Sequence, residues 1–391
     1  MHLFSISRKI IITCSNRLAP YLEQEVVALG YRPERVFKTG IELQGTMQDC
    51  IKLNMQLRCA SQVYFSLFQC RANTPDDLYR ACVKLAWETW LPADGYFSIT
   101  SNVNNLSVNN PLFANVKLKD AIADRFRQEK GSRPNSGPLQ DKTVIHLYWQ
   151  DESVEIFADT SGETLSKHGY RKIPGKAPML ESLAAATLLA TKWNRASAFV
   201  NPMCGSGTVA IEAALLATHR KPGLLRSNYG FMHWLGYEAT AYDAELALLK
   251  SQVISPKGLK IIASDISQDA VNIAMINADI AGVKEYIEFG RCDFAETPVP
   301  EGPGVVYFNP EYGDRLGDEI ELQATYKRMG DFMKQKCQGY NGYIFTGNLE
   351  LGKKIGLKPS RRIEFFTSKI DCRLFEYELY SGTRQTPKAD A

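Results

Sequence analysis

The sequence predicts an α/β protein whose C-terminal half is a parallel sheet covered by helices, preceded by a mixed α+β half. Three observations predict it. From about residue 198 onward, β-branched and aromatic runs alternate with helix-period segments: "SAFVN", "GTVAIEAALLAT", "LKIIASD", "SQDAVNIAMINADIAG", "EYIEFGRCD", "GVVYFNP". That rhythm belongs to parallel strands joined by crossover helices. The first of these strands runs into a helix through the small residues of "NPMCGSGT", where glycines allow tight turns and close approach to the backbone. Before residue 165 the elements mix without that rhythm, as in an antiparallel α+β sheet.

Taken in order, residues 8 to 70 pair the apolar runs "KIIITC" and "SQVYFSLFQC" with the helical stretches "APYLEQEVVALG" and "MQDCIKLNMQLRCA". Residues 71 to 165 repeat the mixture: helix over 74–90, strand at "YFSITSNV", helix over 116–131, strands at "TVIHLYWQ" and "SVEIFADT". The alternating runs of "RRIEFFTSKIDCRLFEYELYSG" predict an antiparallel hairpin at one edge of the C-terminal sheet. A length of 391 residues exceeds one ordinary core, so we divide the chain into 1–70, 71–165 and 166–391.

Composition excludes several classes. No apolar run approaches the ~20 residues that cross a bilayer, and "MHLFSISRKIIITCSN" lacks the layout of a signal peptide, so the expected compartment is the cytoplasm. Nine scattered cysteines without a Cys-x-x-Cys pair argue against disulfides and structural zinc. The five histidines show no metal-ligand spacing, and no metal is expected. A net charge of +3 does not by itself advertise a nucleic-acid binder, but cations gather at 117–133 (Lys117, Lys119, Arg125, Arg127, Arg133), at 167–176 (Lys167, Arg171, Lys172), and at 353–362 with Lys369 and Arg373 beyond. These clusters are either solvated faces or phosphate contacts.

The chemistry gathers at the ends of the predicted parallel strands. In "NPMCGSGT", Gly205 and Gly207 clear side chains from a ligand's path, Ser206 and Thr208 offer hydroxyls, and the new helix presents free N–H groups. Asp265 closes the next strand, placed to accept from both ribose hydroxyls of a nucleoside. Asp293 and Phe294 close a third strand, an acceptor for an adenine amino group and a ring for its face. The Gly-x-Gly-x-x-Gly spacing of dinucleotide sites is absent, and the acid follows Gly205 after about sixty residues rather than ~20; the insertion 219–238 accounts for the length. A nucleoside ligand without pyrophosphate fits, and S-adenosylmethionine is the common one. At "VVYFNPEYGD", Asn309 Oδ1 and the Pro310 carbonyl can accept from both N–H bonds of an exocyclic amino group and aim its lone pair at a methyl donor. Tyr312 could stack on the base. Cys204 reads as a small residue packed under the ligand rather than a nucleophile, and Glu212 as ordinary helix.

With these residues in view, the chain resembles the THUMP-domain class I RNA methyltransferases that modify guanine N2, especially in bacterial large-subunit ribosomal RNA. The resemblance spans nearly the whole chain. Residues 1 to 70 resemble the family's ferredoxin-like domain, "NNPLFANVKLKDAIADRFRQEKGSRP" and "VEIFADTSGETLSKHGYRKIPGKAPMLESLAAATLLA" its THUMP domain and junction, "NPMCGSGT" its glycine motif and "NPEYGDRLGD" its catalytic motif. It implies a seven-stranded Rossmann-like methyltransferase sheet, S-adenosylmethionine as donor and RNA guanine as acceptor, with rRNA favoured over tRNA. It further implies a donor site of Pro178, Glu181, Asn201, Pro202, Cys204, Gly205, Ser206, Gly207, Thr208, Asp265, Ile266, Asp293, Phe294 and Asn309, and a catalytic loop of Asn309, Pro310, Glu311 and Tyr312. Two departures stand out: His168 replaces the usual arginine, and Glu311 replaces the second proline of Asn-Pro-Pro-Tyr. Glutamate removes the restraint a following proline places on Pro310 and brings a charge toward the acceptor base. Two rivals follow: an RNA-binding protein of the same fold with weakened catalysis, and a DNA or protein methyltransferase using the same arrangement on another amino group.

Overall fold

The computed structural model describes residues 3–108, 110–173, 178–312, 319–367 and 370–380. It resolves into two compact units, one of Met1–Ser15, Leu22–Ser166 and Lys221–Ser251, the other of Asn16–Tyr21, Lys167–Arg220 and Gln252–Ala391.

The first unit is built on β1 (Arg8–Thr13), α1 (Ala19–Ala28) from Leu22 onward, β2 (Arg35–Phe37), β3 (Gly40–Gly45), α2 (Met47–Gln56), β4 (Gln62–Arg71), α3 (Pro75–Cys82), β5 (Tyr96–Asn104), α4 (Pro111–Lys130), β6 (Asn135–Ser136), β7 (Thr143–Gln150) and β8 (Ser153–Asp159). Its strands form one eight-stranded sheet in the order β2-β3-β1-β4-β8-β7-β5-β6. The two α+β segments therefore share a sheet, joined where β4 pairs antiparallel with β8. The helix expected over 74–90 stops at Cys82. Thr74 and Asp77 form a capping box at its start, but the buried Trp87 folds back and its Nε1–H donates to the Cys82 carbonyl at 2.8 Å. Helix α4 begins five residues before the expected Val116, because Asn110 caps it and Pro111 supplies a helical φ at its first position.

The second unit holds α5 (Glu181–Leu189), β9 (Ala198–Pro202) and α6 (Thr208–Ala217), and after an excursion that includes α7 (Ala239–Ser251), β10 (Ile261–Asp265), α8 (Gln268–Ile280), β11 (Ile287–Arg291), β12 (Gly304–Phe308), α9 (Glu319–Lys336), β13 (Asn341–Thr346), α10 (Leu349–Gly352), β14 (Arg361–Thr367) and β15 (Ile370–Glu378). Seven strands run in the order β11-β10-β9-β12-β13-β15-β14. The first five are parallel; β15 and β14 add the expected antiparallel hairpin. From β9 the chain steps to β10 on one side and later returns to β12 on the other. That reversal opens a crevice at the carboxyl ends of β9 and β12, where ligands of such sheets bind.

The excursion Lys221–Ser251 lies within 166–391 by sequence order yet folds into the first unit. Gly223 packs on α2 so closely that a Cβ would meet the Met55 carbonyl oxygen at 2.6 Å. Gln56 Nε2 donates to Glu245 of α7 at 2.6 Å. The Arg226 guanidinium donates to the Ser161 and Glu163 carbonyls at 2.7 and 2.8 Å.

Candidate active site

The crevice is assembled by backbone geometry first. Met203, Gly205 and Gly207 all hold positive φ (60°, 54° and 82°), which winds the chain tightly between β9 and α6. A Cβ on Gly205 would have no atom within 4 Å, so it borders open space, whereas one on Gly207 would meet Ala274 Cβ at 2.8 Å. The first glycine leaves room for a ligand and the second for helix packing. Asn201, 1% exposed, ties the two sides together: its Nδ2 donates to the Tyr307 carbonyl of β12 at 2.8 Å, while its Oδ1 is buried without a partner among the described residues.

Asp265 ends β10 in the expected place. One carboxylate oxygen accepts from the Gly205 N–H at 2.9 Å and the other from the Ser267 N–H at 3.0 Å. Each oxygen keeps a lone pair for a ribose hydroxyl. Ile266 beside it is 69% exposed, an apolar surface that a bound purine would cover. Cys204 is buried, and that burial, with the nearby Asp265 charge, raises its thiol pKa far above the ordinary value; it is a packed thiol.

The adenine end differs from expectation. The Phe294 ring turns into the core, edge-on to Phe308 and Phe332 at 6.0 and 6.5 Å, and is 6% exposed. Arg328 of α9 covers it, with the guanidinium carbon 4.8 Å from the ring centre. Phe294 thus offers no free face for an adenine, because its short 3-10 turn aims the ring inward. Asp293 accepts from the Ala295 N–H at 2.9 Å and from Arg328 at 2.7 Å. Burial opposes ionisation there, but these two bonds outweigh it and hold the carboxyl below its usual range.

At the acceptor end, Asn309 Oδ1 accepts from the Tyr312 hydroxyl at 3.1 Å. The Tyr312 ring is tilted against Phe345 at 6.3 Å, and its carbonyl accepts from Asn348 Nδ2 at 3.1 Å. Pro310 is buried and Glu311 exposed, with the Glu311 carbonyl accepting from the Tyr326 hydroxyl at 3.2 Å. Residues 313–318 of "NPEYGDRLGD" lie outside the described residues.

Several sequence-derived roles change. Arg171, read as an RNA contact, is directed inward: it donates to the Met179 carbonyl and to Thr208 Oγ1 at 3.0 Å, and pairs with Glu181 at 3.4 Å. It ties the Pro178–Glu181 segment to the start of α6. Glu181 is 2% exposed; burial raises its pKa against the pull of Arg171. Glu212, read as ordinary helix, is fully buried and meets His168 Nδ1 at 2.6 Å, so the histidine that replaces an arginine packs in the core instead of facing a phosphate. In the first unit Arg125 donates twice to Glu88, at 2.6 and 3.0 Å, Lys117 pairs with Asp76 at 2.6 Å, and Arg127 pairs with Asp124 at 2.8 Å. Lys119 is half-buried and Arg133 exposed, and no acid pairs with either among the described residues. Lys167 and Lys172 are exposed, while 174–176 of that cluster and Lys369 lie outside the described residues. Arg373 is paired with Asp371 and Glu364.

Sequence reasoning missed Arg328, Tyr326 and Asn348. Asn348 carries a signal, an N-cap before "LELG" after a strand. Arg328 and Tyr326 carry none, since only the helix register brings them to the loops.

Glycine loop, acidic strand end and Asn-Pro turn around one switch point define a Rossmann-like methyltransferase, the fold class built for S-adenosylmethionine. Comparison with known families makes that specific. Residues 168–376 match the RMKL-like methyltransferase domain, residues 9–64 the RlmL ferredoxin-like domain, and residues 72–159 the THUMP domain. The chain belongs to the RMKL-like methyltransferase family. The ribosomal RNA large subunit methyltransferase K/L of Syntrophotalea carbinolica is 32% identical over 95% of this chain and 53% of its own length. Its namesake in Allochromatium vinosum is 33% identical over 93% and 50%. The chain thus spans about half the length of these relatives. A solved structure described as a "predicted N6-adenine-specific DNA methylase" from Listeria monocytogenes superposes with a TM-score of 0.86 at 28% identity, covering 96% of this chain and 97% of that one.

Proposed function

We propose that this protein methylates the exocyclic N2 amino group of a guanine in structured RNA, large-subunit rRNA in preference to tRNA, with S-adenosylmethionine as donor, and that it acts in the cytoplasm. Residues 1–70 and 71–165 are read as ferredoxin-like and THUMP parts that hold the RNA, and 166–391, apart from the Lys221–Ser251 excursion that folds with the first unit, as the catalytic part. The observation that carries the reading is the crevice at β9 and β12: the glycine loop leaves one strand end and Asn309-Pro310 leaves the other, the two strands being hydrogen-bonded neighbours.

The residues fit the donor. Gly205 leaves space beside the loop, the Asp265 carboxylate can receive the ribose, Ile266 offers apolar cover, and Asn201 Oδ1 awaits a donor group. S-adenosylmethionine would supply a methyl group already activated on a sulfonium, so the protein's task is orientation. A base amino group is a poor nucleophile because its lone pair is delocalised; acceptors at both its N–H bonds favour the form that frees that pair. Asn309 Oδ1 and the Pro310 carbonyl are those acceptors. The Tyr312 hydroxyl now bonded to Asn309 uses one of two lone pairs on Oδ1, leaving the other for the base. After transfer the nitrogen releases its proton to water.

Radiolabelled methyl transfer to unmodified rRNA, tRNA, DNA and protein fractions tests the reading, with nuclease digestion to identify the product. N2-methylguanine in rRNA supports it. The Listeria relative's description favours a second reading, transfer to a DNA adenine, and label in DNA would establish that instead. If wild type is inert and Glu311→Pro active, the RNA-binding reading replaces both.

A further inference from the structure

We propose that Tyr326 and Asn348 are positioning residues for methyl transfer. Each holds one backbone carbonyl of the 309–312 turn and through it aims one of the two acceptors for the base amino group: Tyr326 the Pro310 carbonyl, Asn348 the Asn309 side chain. The proposal rests on the acceptor reading above and assigns neither residue a contact with base or donor.

The turn needs such holding. The Pro310 ring fixes its own φ, but with Glu311 next in the chain the peptide plane that carries the Pro310 carbonyl can still rock about ψ of Pro310 and φ of Glu311. A proline at 311 would restrict both torsions. The Glu311 N–H gives that plane no hydrogen bond among the described residues. Restraint must come from outside the turn.

Tyr326 supplies it from α9. The residue is fully buried, and its hydroxyl donates to the Glu311 carbonyl at 3.2 Å and lies 2.8 Å from Thr346 Oγ1. A phenol has one hydrogen and a carbonyl only accepts, so the Thr346 hydroxyl is the donor to Tyr326, while its own oxygen accepts from the Asn348 N–H at 3.0 Å. The bonds run in one direction from the end of β13 to the turn, each polarising the next. Asn348 makes the second hold. Its Oδ1 caps α10, accepting from the Glu350 and Leu351 N–H groups at 3.1 Å each, which leaves Nδ2 to donate to the Tyr312 carbonyl at 3.1 Å. Tyr312 in turn donates its hydroxyl to Asn309 Oδ1 at 3.1 Å. Gly347 permits this approach, since a Cβ there would meet the Tyr312 ring at 3.1 Å.

Single-turnover methylation of unmodified rRNA by the full chain at saturating donor, with calorimetry of S-adenosylhomocysteine, tests both holds. Tyr326→Phe deletes the hydroxyl and keeps the ring. It should lower the rate constant about tenfold in the wild-type background and less than about threefold beside Glu311→Pro, which restrains the same two torsions. Asn348→Ser retains a cap for α10 and loses the reach to Tyr312. It should cost about tenfold in the wild-type background and less than about threefold beside Tyr312→Phe, which has no hydroxyl to aim. Donor affinity should stay within about twofold throughout. Losses of equal size in both backgrounds, or losses that follow donor affinity, mark a structural effect and overturn the proposal, as does an inactive Glu311→Pro or Tyr312→Phe. If wild type leaves rRNA unlabelled, the RNA reading itself fails and the two holds with it.

Discussion

The glycine loop of the second unit and helix α4 of the first were both marked by polar residues in the sequence, and the fold treats them oppositely. Around the glycine loop, Asp265 bonds to backbone N–H groups on both oxygens, and the space next to Gly205 stays open. Along α4, Arg125, Lys117 and Arg127 each meet an acid of the same unit, and Arg125 is only 20% exposed at its side chain. A loop whose glycines and strand-end acid follow a fixed order reports a backbone shape, which the backbone itself enforces. A run of cations reports only charge, and neighbouring acids brought in by folding decide whether any of it is left for a partner.

The sharpest way to test the first half of that contrast is the acceptor. Asn309→Ala should lower the methyl-transfer rate constant about a hundred- to a thousandfold with donor affinity nearly unchanged. Single-turnover kinetics alongside calorimetry would check this, and a loss confined to donor binding would move Asn309 out of the acceptor role.

Polar groups of the first unit should count for stability instead. His146 of β7 is buried, stacked on Tyr64 at 4.4 Å and bonded through Nδ1 to Thr100 Oγ1 at 2.8 Å; burial lowers its pKa from 6.5 to about 4. The fold keeps the neutral ring. Its contribution is therefore complete above pH 6.5 and is lost as pH falls toward 4, up to about 3 kcal/mol over that window. The opening free energy of β7, obtained from amide exchange corrected for the intrinsic exchange rate at each pH, should fall between pH 7.5 and 4.5 in wild type and change less in His146→Gln; identical pH dependence in both would remove His146 as the cause.

Asp265→Ala should reduce donor affinity about thirty- to a hundredfold, ~2 to 3 kcal/mol for a charge-assisted pair. Unchanged calorimetric affinity in the folded variant would sink the assignment. Arg171 sharpens the comparison, because it is a cation bonded to Met179, Thr208 and Glu181, residues of the proposed donor site or beside it. Arg171→Ala should weaken S-adenosylmethionine about tenfold and spare methylthioadenosine, which lacks the amino-acid end. Equal losses would mean that Arg171 merely supports the fold.

The smallest expected effects concern α4. Lys119→Ala and Arg133→Ala should each lower the salt slope of RNA binding by about 0.7 to 0.9. Arg125→Ala should leave the slope unchanged while lowering stability, since it strands Glu88 half-buried. A slope that follows Arg125 and ignores Lys119 would reverse the contrast drawn between the two regions.

The residues alone determined the parallel sheet, its terminal hairpin, the winding of the glycine loop and the positions of Asp265 and Asn309, because periodicity and glycine placement act through local backbone geometry. Where each side chain points was decided by tertiary packing. "DF" in "FGRCDF" reads as an adenine platform, and only the helix that brings Arg328 and Phe332 over Phe294 turns the ring into the core. Arg171 reads as a free cation until Glu181 and Thr208 close on it. Glu212 reads as helix surface until His168 is packed beside it. Burial and pairing are properties of neighbours distant in the chain, so no local pattern contains them.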